Sequence, residues 1–444
     1  MDNSLKKVRS HIVWAVALGL VLIFAFVLRF VALDSIPIIL SADEYDNLRT
    51  VINTFRSPEG IWKLNWNGSS ILNTYFIGIG WVLGGKTYAS IKFASIIFSV
   101  FSILAFSVVS YKLTKSQILS VASTIALAGN AAFLNFSRSA WENIFNALPS
   151  TILAYYVLKI AKGTRLTNLD VAVISASLAG SFYFYHAGKI VMGVFVVIWV
   201  AFILYRKKWS QMKVFVRVAI TTFALCLPGI VGIILNPIDA FDRIRTVSIF
   251  NQEHALELLL NNIQNNVLAL FYWTNNNARY GALGDVFSFP VNILILLFVS
   301  FLLLKHRSLF LYFIFSFLLT QVFSNHTPDL ARGVHLIPTI YLGIILGFST
   351  MVHTSVSNSV HKHILVGIFC ACLAFGTAIE ISRYFSHSTK ADTVKVRRPG
   401  IHMAQYDDWL QMAESMATLG KEVSLNADEW EILYKTRYAN TINR

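Results

Sequence analysis

Charge is scarce in this sequence. Asp, Glu, Lys and Arg together make up 14% of the 444 residues, while hydrophobic residues make up 55%, a balance that excludes a water-soluble globular protein of this length. Acidic residues are scarcer still, 23 against 37 basic ones, which leaves a formal net charge of +14. Cysteine occurs three times, and Cys226, Cys370 and Cys372 all lie inside apolar runs, which excludes an external disulfide framework or a thiolate metal site and leaves packing as their role. No internal repeat is visible, which argues against an inverted-repeat transporter.

What is present is a series of membrane-length apolar runs. The first extends from Ile12 to Leu33, interrupted by Arg29, with Lys6, Lys7 and Arg9 before it; no small-residue cleavage pattern follows, so it reads as a span and not a signal peptide. Ten more runs follow, at roughly 87–111, 118–134, 144–160, 169–185, 190–205, 214–235, 289–304, 309–323, 334–352 and 363–383, for about eleven spans. Basic clusters between them alternate in side: Lys112 and Lys115, then Lys159, Lys162 and Arg165, then Arg206 to Lys213, then Lys305 and Arg307, then Lys362. With the N-terminus they define a cytoplasmic face. Of the acids, only Asp2 and Asp170 fall clearly on that face, so the positive net charge is a topology signal and not a nucleic-acid footprint.

The expected fold is therefore an all-α polytopic membrane protein with external juxtamembrane helices and a small α+β tail. Residues 1–383 form the membrane domain, interrupted by two long external loops, 34–86 and 236–290, and 384–444 form an external C-terminal region. The N-terminus is expected in the cytoplasm and the C-terminus outside the cytoplasmic membrane. In the first loop, Tyr45, Leu48, Val51, Ile52 and Phe55 recur at helical spacing, which predicts an amphipathic helix over 43–56 lying along the membrane surface. Trp62, Trp66 and Trp81 fit a headgroup belt, and 71–84 is apolar but too short to span. The second loop holds a predicted helix over Gln252 to Leu270 that could cover a cavity. The tail reads as a helix near Gln405 to Leu419, an extended Glu422 to Leu425 and a helix from Ala427 to Tyr438, a unit small enough to need docking on the membrane domain.

Asp43 and Glu44 are the adjacent carboxylates nearest the first span, where ionised acids are costly. Ser41 with Glu44 three residues on forms a capping box, which explains Glu44 structurally and leaves Asp43 facing outward as a possible general base. Basic residues mark three other external span ends: Arg138 in Phe136-Ser137-Arg138-Ser139-Ala140-Trp141-Glu142, Lys189 after Tyr185-His186, and Arg332 after Asp329. Each sits where a lipid phosphate would lie. The bland alternatives are an Arg138–Glu142 pair, a snorkelling Lys189 and an Arg332–Asp329 pair. Arg332 has a further argument, because a cation near a helix N-terminus is disfavoured unless an anion joins it. Arg29 is read as snorkelling or pairing with Asp34, with phosphate contact the lesser option. His186 suits a hydrogen bond to a sugar better than a metal, since it has no partner at ligand spacing.

The run Leu28-Arg29-Phe30, Leu33, Pro37, Leu40, Asp43-Glu44 resembles the first span and first external loop of the C-type glycosyltransferases, specifically the family 39 proteins similar to the aminoarabinose transferase of lipid A and to protein O-mannosyltransferases. The segments Phe136 to Glu142, Tyr183 to Lys189 and Pro328 to Pro338 are similar to this family's external span ends, and the tail after Arg383 is shorter than many members carry. The resemblance implies transfer of a sugar from a polyprenyl phosphate to an acceptor hydroxyl on a glycolipid, glycan or protein, with inversion. It implies Asp43, with Glu44 beside it, as the catalytic carboxylate, and Arg138, Glu142, His186, Lys189 and Arg332 as substrate-binding residues. A phosphate leaving group needs no general acid at neutral pH, so one base and several cations suffice. The sequence points to no certain cofactor; the acidic pair could hold a divalent cation, but nothing completes a coordination shell. A multi-span transporter or lipid flippase, and an O-antigen polymerase or ligase, are the alternative readings.

Overall fold

The computed structural model describes residues 2–37, 39–56, 64–65, 68–69, 71–271, 274–275, 284–288, 290–295, 305–325, 327–388, 400–402 and 406–418. Among them, seven helices are long and apolar enough to cross a membrane: Ile12–Phe30, Ser90–Thr114, Glu142–Ala161, His186–Tyr205, Ser210–Leu235, Leu330–Ser355 and Ser359–Ser386. An eighth is a pair, Gln117–Gly129 and Ala131–Ser137, bent by 62° at Asn130. Shorter apolar helices at Asn168–Phe184 and Arg307–Gln321 coincide with two more of the expected spans. The run at 289–304 lies mostly outside the described residues. The chain is thus a multi-pass all-α membrane protein.

Helix α1 (Asp2–Phe30) ends in a cluster of side chains that satisfy the carbonyls which a helix C-terminus leaves open. Arg29 is fully buried and does not snorkel; its Nε donates to Ser99 Oγ at 2.8 Å and its Nη1 to the Ala25 carbonyl at 2.9 Å. Lys92 Nζ donates to the Leu33 carbonyl at 3.0 Å. Arg138, also fully buried, donates to the carbonyls of Leu28 (2.8 Å), Ala32 (3.1 Å) and Ile36 (2.9 Å). Cations are favourable at this pole of a helix, and burial makes each bond stronger than it would be in water. The chain leaves α1 through Ala32, whose φ of 51° is in the left-handed region that a non-glycine residue holds only where its surroundings fix it. Arg138 grips that carbonyl.

The chain then enters a short strand, β1 (Ile39–Ser41), and helix α2 (Ala42–Arg56). Tyr45, Leu48, Val51 and Ile52 form the apolar face that the sequence spacing predicts, but they are buried in protein and not laid on lipid. Helix α3 (Leu72–Leu83) packs there, with Gly78 so close to Phe55 that a Cβ would lie 2.0 Å from its Cε2 and push the ring aside. The Tyr45 ring meets Trp409 edge-on at 5.4 Å. Trp81 is buried too, its indole N–H donating to the Tyr406 hydroxyl at 2.7 Å, so it serves the protein interior instead of a headgroup belt. Trp62 and Trp66 lie outside the described residues.

Tyr406 and Trp409 belong to the last described helix, Tyr406–Thr418, and Gly400–His402 pairs antiparallel with β1, Ile39 opposite His402. The segments expected at Glu422 to Leu425 and Ala427 to Tyr438 lie outside the described residues. Between Phe93–Thr114 (α4) and Gln117–Gly129 (α5), Ser110 and Ser120 hydrogen-bond at 2.8 Å, an example of small polar residues joining membrane helices. The bend after α5 is held by Glu380, a buried acid inside an apolar helix. Its carboxylate accepts from Asn130 Nδ2 (2.7 Å), the Ala131 N–H (3.1 Å) and the Ser288 N–H (2.7 Å).

Replacing Arg138 with Met would leave the buried carbonyls of Leu28 and Ile36 short of a donor, a loss of at least about 2 kcal/mol. A clearly lowered melting temperature in detergent is expected; an unchanged one would mean that the carbonyls find other partners.

Candidate active site

One cavity of about 440 Å³ opens on the face that carries the first loop, and five parts of the chain meet around it. Asp43 comes from the first turn of α2, and Trp141, Glu142 and Asn143 from the turn before Ala147–Ala161 (α7). His186, Lys189 and Ile190 come from the start of His186–Tyr205 (α9). Val247 ends the helix Pro237–Val247 of the second loop and Ser248 and Phe250 follow it, while Leu319, Phe323, Ser324, Asp329 and Arg332 come from the end of Arg307–Gln321, the turn after it and the short helix Leu330–Gly333.

Local chemistry explains these positions. Glu44 is buried, and one carboxylate oxygen accepts from the Ser41 N–H (2.9 Å) and hydroxyl (3.0 Å), which closes the first turn of α2. Its other oxygen accepts from the Ala140 N–H at 2.7 Å. Asn47 completes the join, its Nδ2 donating to the Ala140 carbonyl and to Glu142 Oε2, both at 2.9 Å. Glu44 is therefore bound on both oxygens to backbone, while Asp43, one residue earlier, lines the cavity.

Helix α9 starts at Tyr185, which is extended (φ −164°, ψ 157°) and provides no side-chain cap, so the first-turn N–H groups stand at the cavity end of the helix. Gly188 in that turn packs so closely that a Cβ would lie 2.3 Å from the Ser181 carbonyl oxygen and 2.4 Å from Asn146 Oδ1. Lys189 Nζ is 5.5 Å from the Phe182 ring centroid. Across the cavity, Asp329 caps Leu330–Gly333 by accepting from the Ala331 N–H at 2.9 Å, and its carboxylate lies 3.8 Å from Arg332 Nε. Arg332 Nη1 donates to Ser324 Oγ. Asn143 Nδ2 donates to the Ala331 carbonyl at 2.9 Å, which ties the α7 side to the Arg332 side.

Six of the seven residues singled out from sequence occur here: Asp43, Glu142, His186, Lys189 and Arg332 line the cavity, and Glu44 braces its wall. Arg138 does not. Its guanidinium is buried on the carbonyls of α1 and the following turn, between the rings of Tyr384 and Phe385 at 5.6 and 5.4 Å, so it corrects the expectation of a phosphate contact. Asn47, Asn143, Ser324 and Asp329 were not singled out for the site. Asp329 had a signal, as an Asp three residues before Arg332 at a span end; Asn47 and Asn143 are short polar side chains whose partners are distant in sequence, and Ser324 is one serine in a turn with no pattern of its own.

The polar groups occupy one part of a cavity that Ile190, Phe250, Leu319 and Phe323 make apolar elsewhere. Such a surface suits an amphiphile. Among the described residues, no three His, Cys, Asp or Glu side chains come together as a metal site.

Solved structures share this architecture. The ArnT of Cupriavidus metallidurans in its apo state superposes with a TM-score of 0.53 over 89% of this chain and 78% of its own, at 12% identity. The same protein bound to undecaprenyl phosphate gives 0.53 over 90% and 79%. The apo oligosaccharyltransferase of Archaeoglobus fulgidus gives 0.54 at 13% identity, with 95% of this chain matched to 59% of that larger one. The chain has the C-type glycosyltransferase fold. No protein-family model matches the sequence, and no curated protein matches it. At 12 to 13% identity the likeness establishes the fold alone, so the site must speak for the chemistry.

The three native cysteines lie in helices, so a cysteine-free background is accessible. In it, cysteine placed at His186 should react with a water-soluble maleimide and cysteine at the buried Ser137, a near-isosteric change, should not. Equal labelling at both would contradict the cavity assignment.

Proposed function

We propose that this protein is a membrane glycosyltransferase that moves a sugar from a polyprenyl phosphate carrier to an acceptor hydroxyl at the outer face of the cytoplasmic membrane. The observation that carries the proposal is the gathering of carboxylates, Asp43 among them, and two cations, Lys189 and Arg332, around a single cavity with an apolar flank. The related fold of ArnT, whose structure has been solved with undecaprenyl phosphate, supports the carrier class. The alternation of basic clusters supports a cavity on the outer side, with the N-terminus in the cytoplasm and a C-terminal region, 384–444, external to a membrane domain, 1–383.

The chemistry is a single displacement. Asp43 accepts the proton of the acceptor hydroxyl, whose oxygen forms a bond to the anomeric carbon from the face opposite the leaving group. The bond from that carbon to the phosphate oxygen breaks, and its electron pair leaves with the polyprenyl phosphate. Inversion follows from the single step. Arg332 binds the phosphate equally before and during transfer, while Lys189 compensates the charge that builds on it, in a site where low polarity strengthens both interactions. The N-terminal turn of α9 adds its partial positive charge. Glu142 and His186 offer an acceptor and a donor for sugar hydroxyls. Glu44 acts through position, because both its oxygens are engaged.

The transporter reading fares less well against the same side chains. Ionisable residues inside the spans, Arg29 and Glu380 among them, are bound to backbone groups and so act as fixed braces. An alternating carrier would need them to exchange partners.

Asp43→Asn keeps the side-chain shape and removes the base, so transfer should fall by roughly 100-fold or more while the protein remains folded and inserted; full activity in that variant would remove Asp43 from the mechanism. Arg332→Ala should raise the KM for the lipid-linked donor by about tenfold and leave the acceptor KM almost unchanged. Activity assayed in chelator should persist, as the mechanism involves only protein groups; its loss would require a bound divalent cation.

A further inference from the structure

The rim of the cavity is held by a polar latch from the second loop. Helix α12 (Ala255–Phe271) presents Asn262 and Asn266, one turn apart and both buried, to the turn between Arg307–Gln321 and Leu330–Gly333. Asn262 Nδ2 donates to the carbonyls of Val322 and Ser324, each at 2.8 Å. Both N–H bonds of its amide are thus spent across the interface. Asn266 Nδ2 donates to Thr327 Oγ1 at 2.6 Å and back to the Asn262 carbonyl at 2.8 Å.

Backbone bonds run beside the amides. The Ile249 N–H donates to the Phe323 carbonyl at 3.1 Å, and the Asn325 N–H to the Val247 carbonyl at 2.9 Å. Phe250 stacks on Phe323 with centroids 5.7 Å apart. From the membrane side Gln321 grips the same turn, its Nε2 donating to the Asp329 carbonyl (2.8 Å) and its Oε1 accepting from the Asp329 N–H (3.0 Å). The turn carries Ser324, which accepts from Arg332, and Asp329, which pairs with it.

We infer that Asn262 and Asn266 are positioning residues: through them the second loop fixes the 322–329 turn, and so the direction in which Arg332 presents its guanidinium to the cavity. The inference rests on the reading of Arg332 as a phosphate-binding cation. A guanidinium already held along one edge loses little freedom when an anion binds, whereas a loose one must be ordered at that moment. The latch therefore acts on capture of the lipid phosphate and leaves the chemical step alone. It also couples the second loop to the site, since any displacement of α12 frees the turn that orients Arg332.

The test uses the full-length protein in lipid nanodiscs with a polyprenyl phosphate alone as ligand. Asn262→Leu removes both donors, and Thr327→Val removes the acceptor for Asn266 without touching α12, so one variant remains informative if the other misfolds. Each should speed amide hydrogen exchange across 322–327 and weaken polyprenyl phosphate binding by roughly tenfold, raising the donor KM with kcat nearly unchanged. Ser324→Ala should weaken binding alike, and the combination with Asn262→Leu should be no worse than either alone, because both act through one turn. Unchanged exchange across 322–327, or additive losses in the double variant, would overturn the latch while leaving the proposed transferase intact. Failure of the wild-type protein to bind any polyprenyl phosphate would overturn both.

Discussion

The site depends on a clasp between two stretches of chain that are about a hundred residues apart. From one side of a short turn Arg138 holds the carbonyls of Leu28, Ala32 and Ile36. From the other side Ala140 is held at its N–H by Glu44 and at its carbonyl by Asn47, which also reaches Glu142. The clasp sets the angle at which the chain leaves the first span, and hence where α2 begins. Asp43 and Glu142 line one cavity because their neighbours are bound to each other. Charges buried in this way stabilise to the extent that their polar atoms are matched, and most of the matching here is to backbone.

This division of labour separates bracing charges from working ones. Arg29, Arg138 and Glu380 are spent on backbone groups or neighbouring hydroxyl and amide side chains, deep in protein. Asp43, His186, Lys189 and Arg332 stand at the cavity, on first turns of helices or on the turns between them. The proposed transfer needs both kinds. The bracing charges hold helix ends that have no water to satisfy them, and the cavity charges are left for the phosphate and hydroxyl that the proposed reaction brings together.

Much of the membrane architecture was legible because hydrocarbon imposes length and composition on a span, and the basic loops then mark alternate ends. Asp43 and Arg332 were legible for a related reason, since ionised groups at span ends need an explanation. Arg138 was misread. In sequence it is equivalent to Arg332, a cation at a span end with an acid nearby, and only its partners 102 to 110 residues away distinguish a brace from a binding residue. The amphipathic period of α2 identified its buried face but not its cover: Tyr45 meets Trp409 of the C-terminal region, a contact that no local pattern encodes. Asn262 was unremarkable as one of several asparagines in a polar loop, and its role is visible only where the Val322 and Ser324 carbonyls lie opposite it.

The central claim is that a lipid phosphate sits between the Arg332 side of the cavity and the Asp43 side. A cryo-EM map of the protein with a polyprenyl phosphate bound tests it most directly. The account predicts phosphate density within hydrogen-bond reach of Arg332, the prenyl chain along Ile190, Leu319 and Phe323, and the Asp43 carboxylate facing the phosphate across the remaining space. Phosphate density held elsewhere, with Arg332 and Lys189 left in solvent, would contradict it.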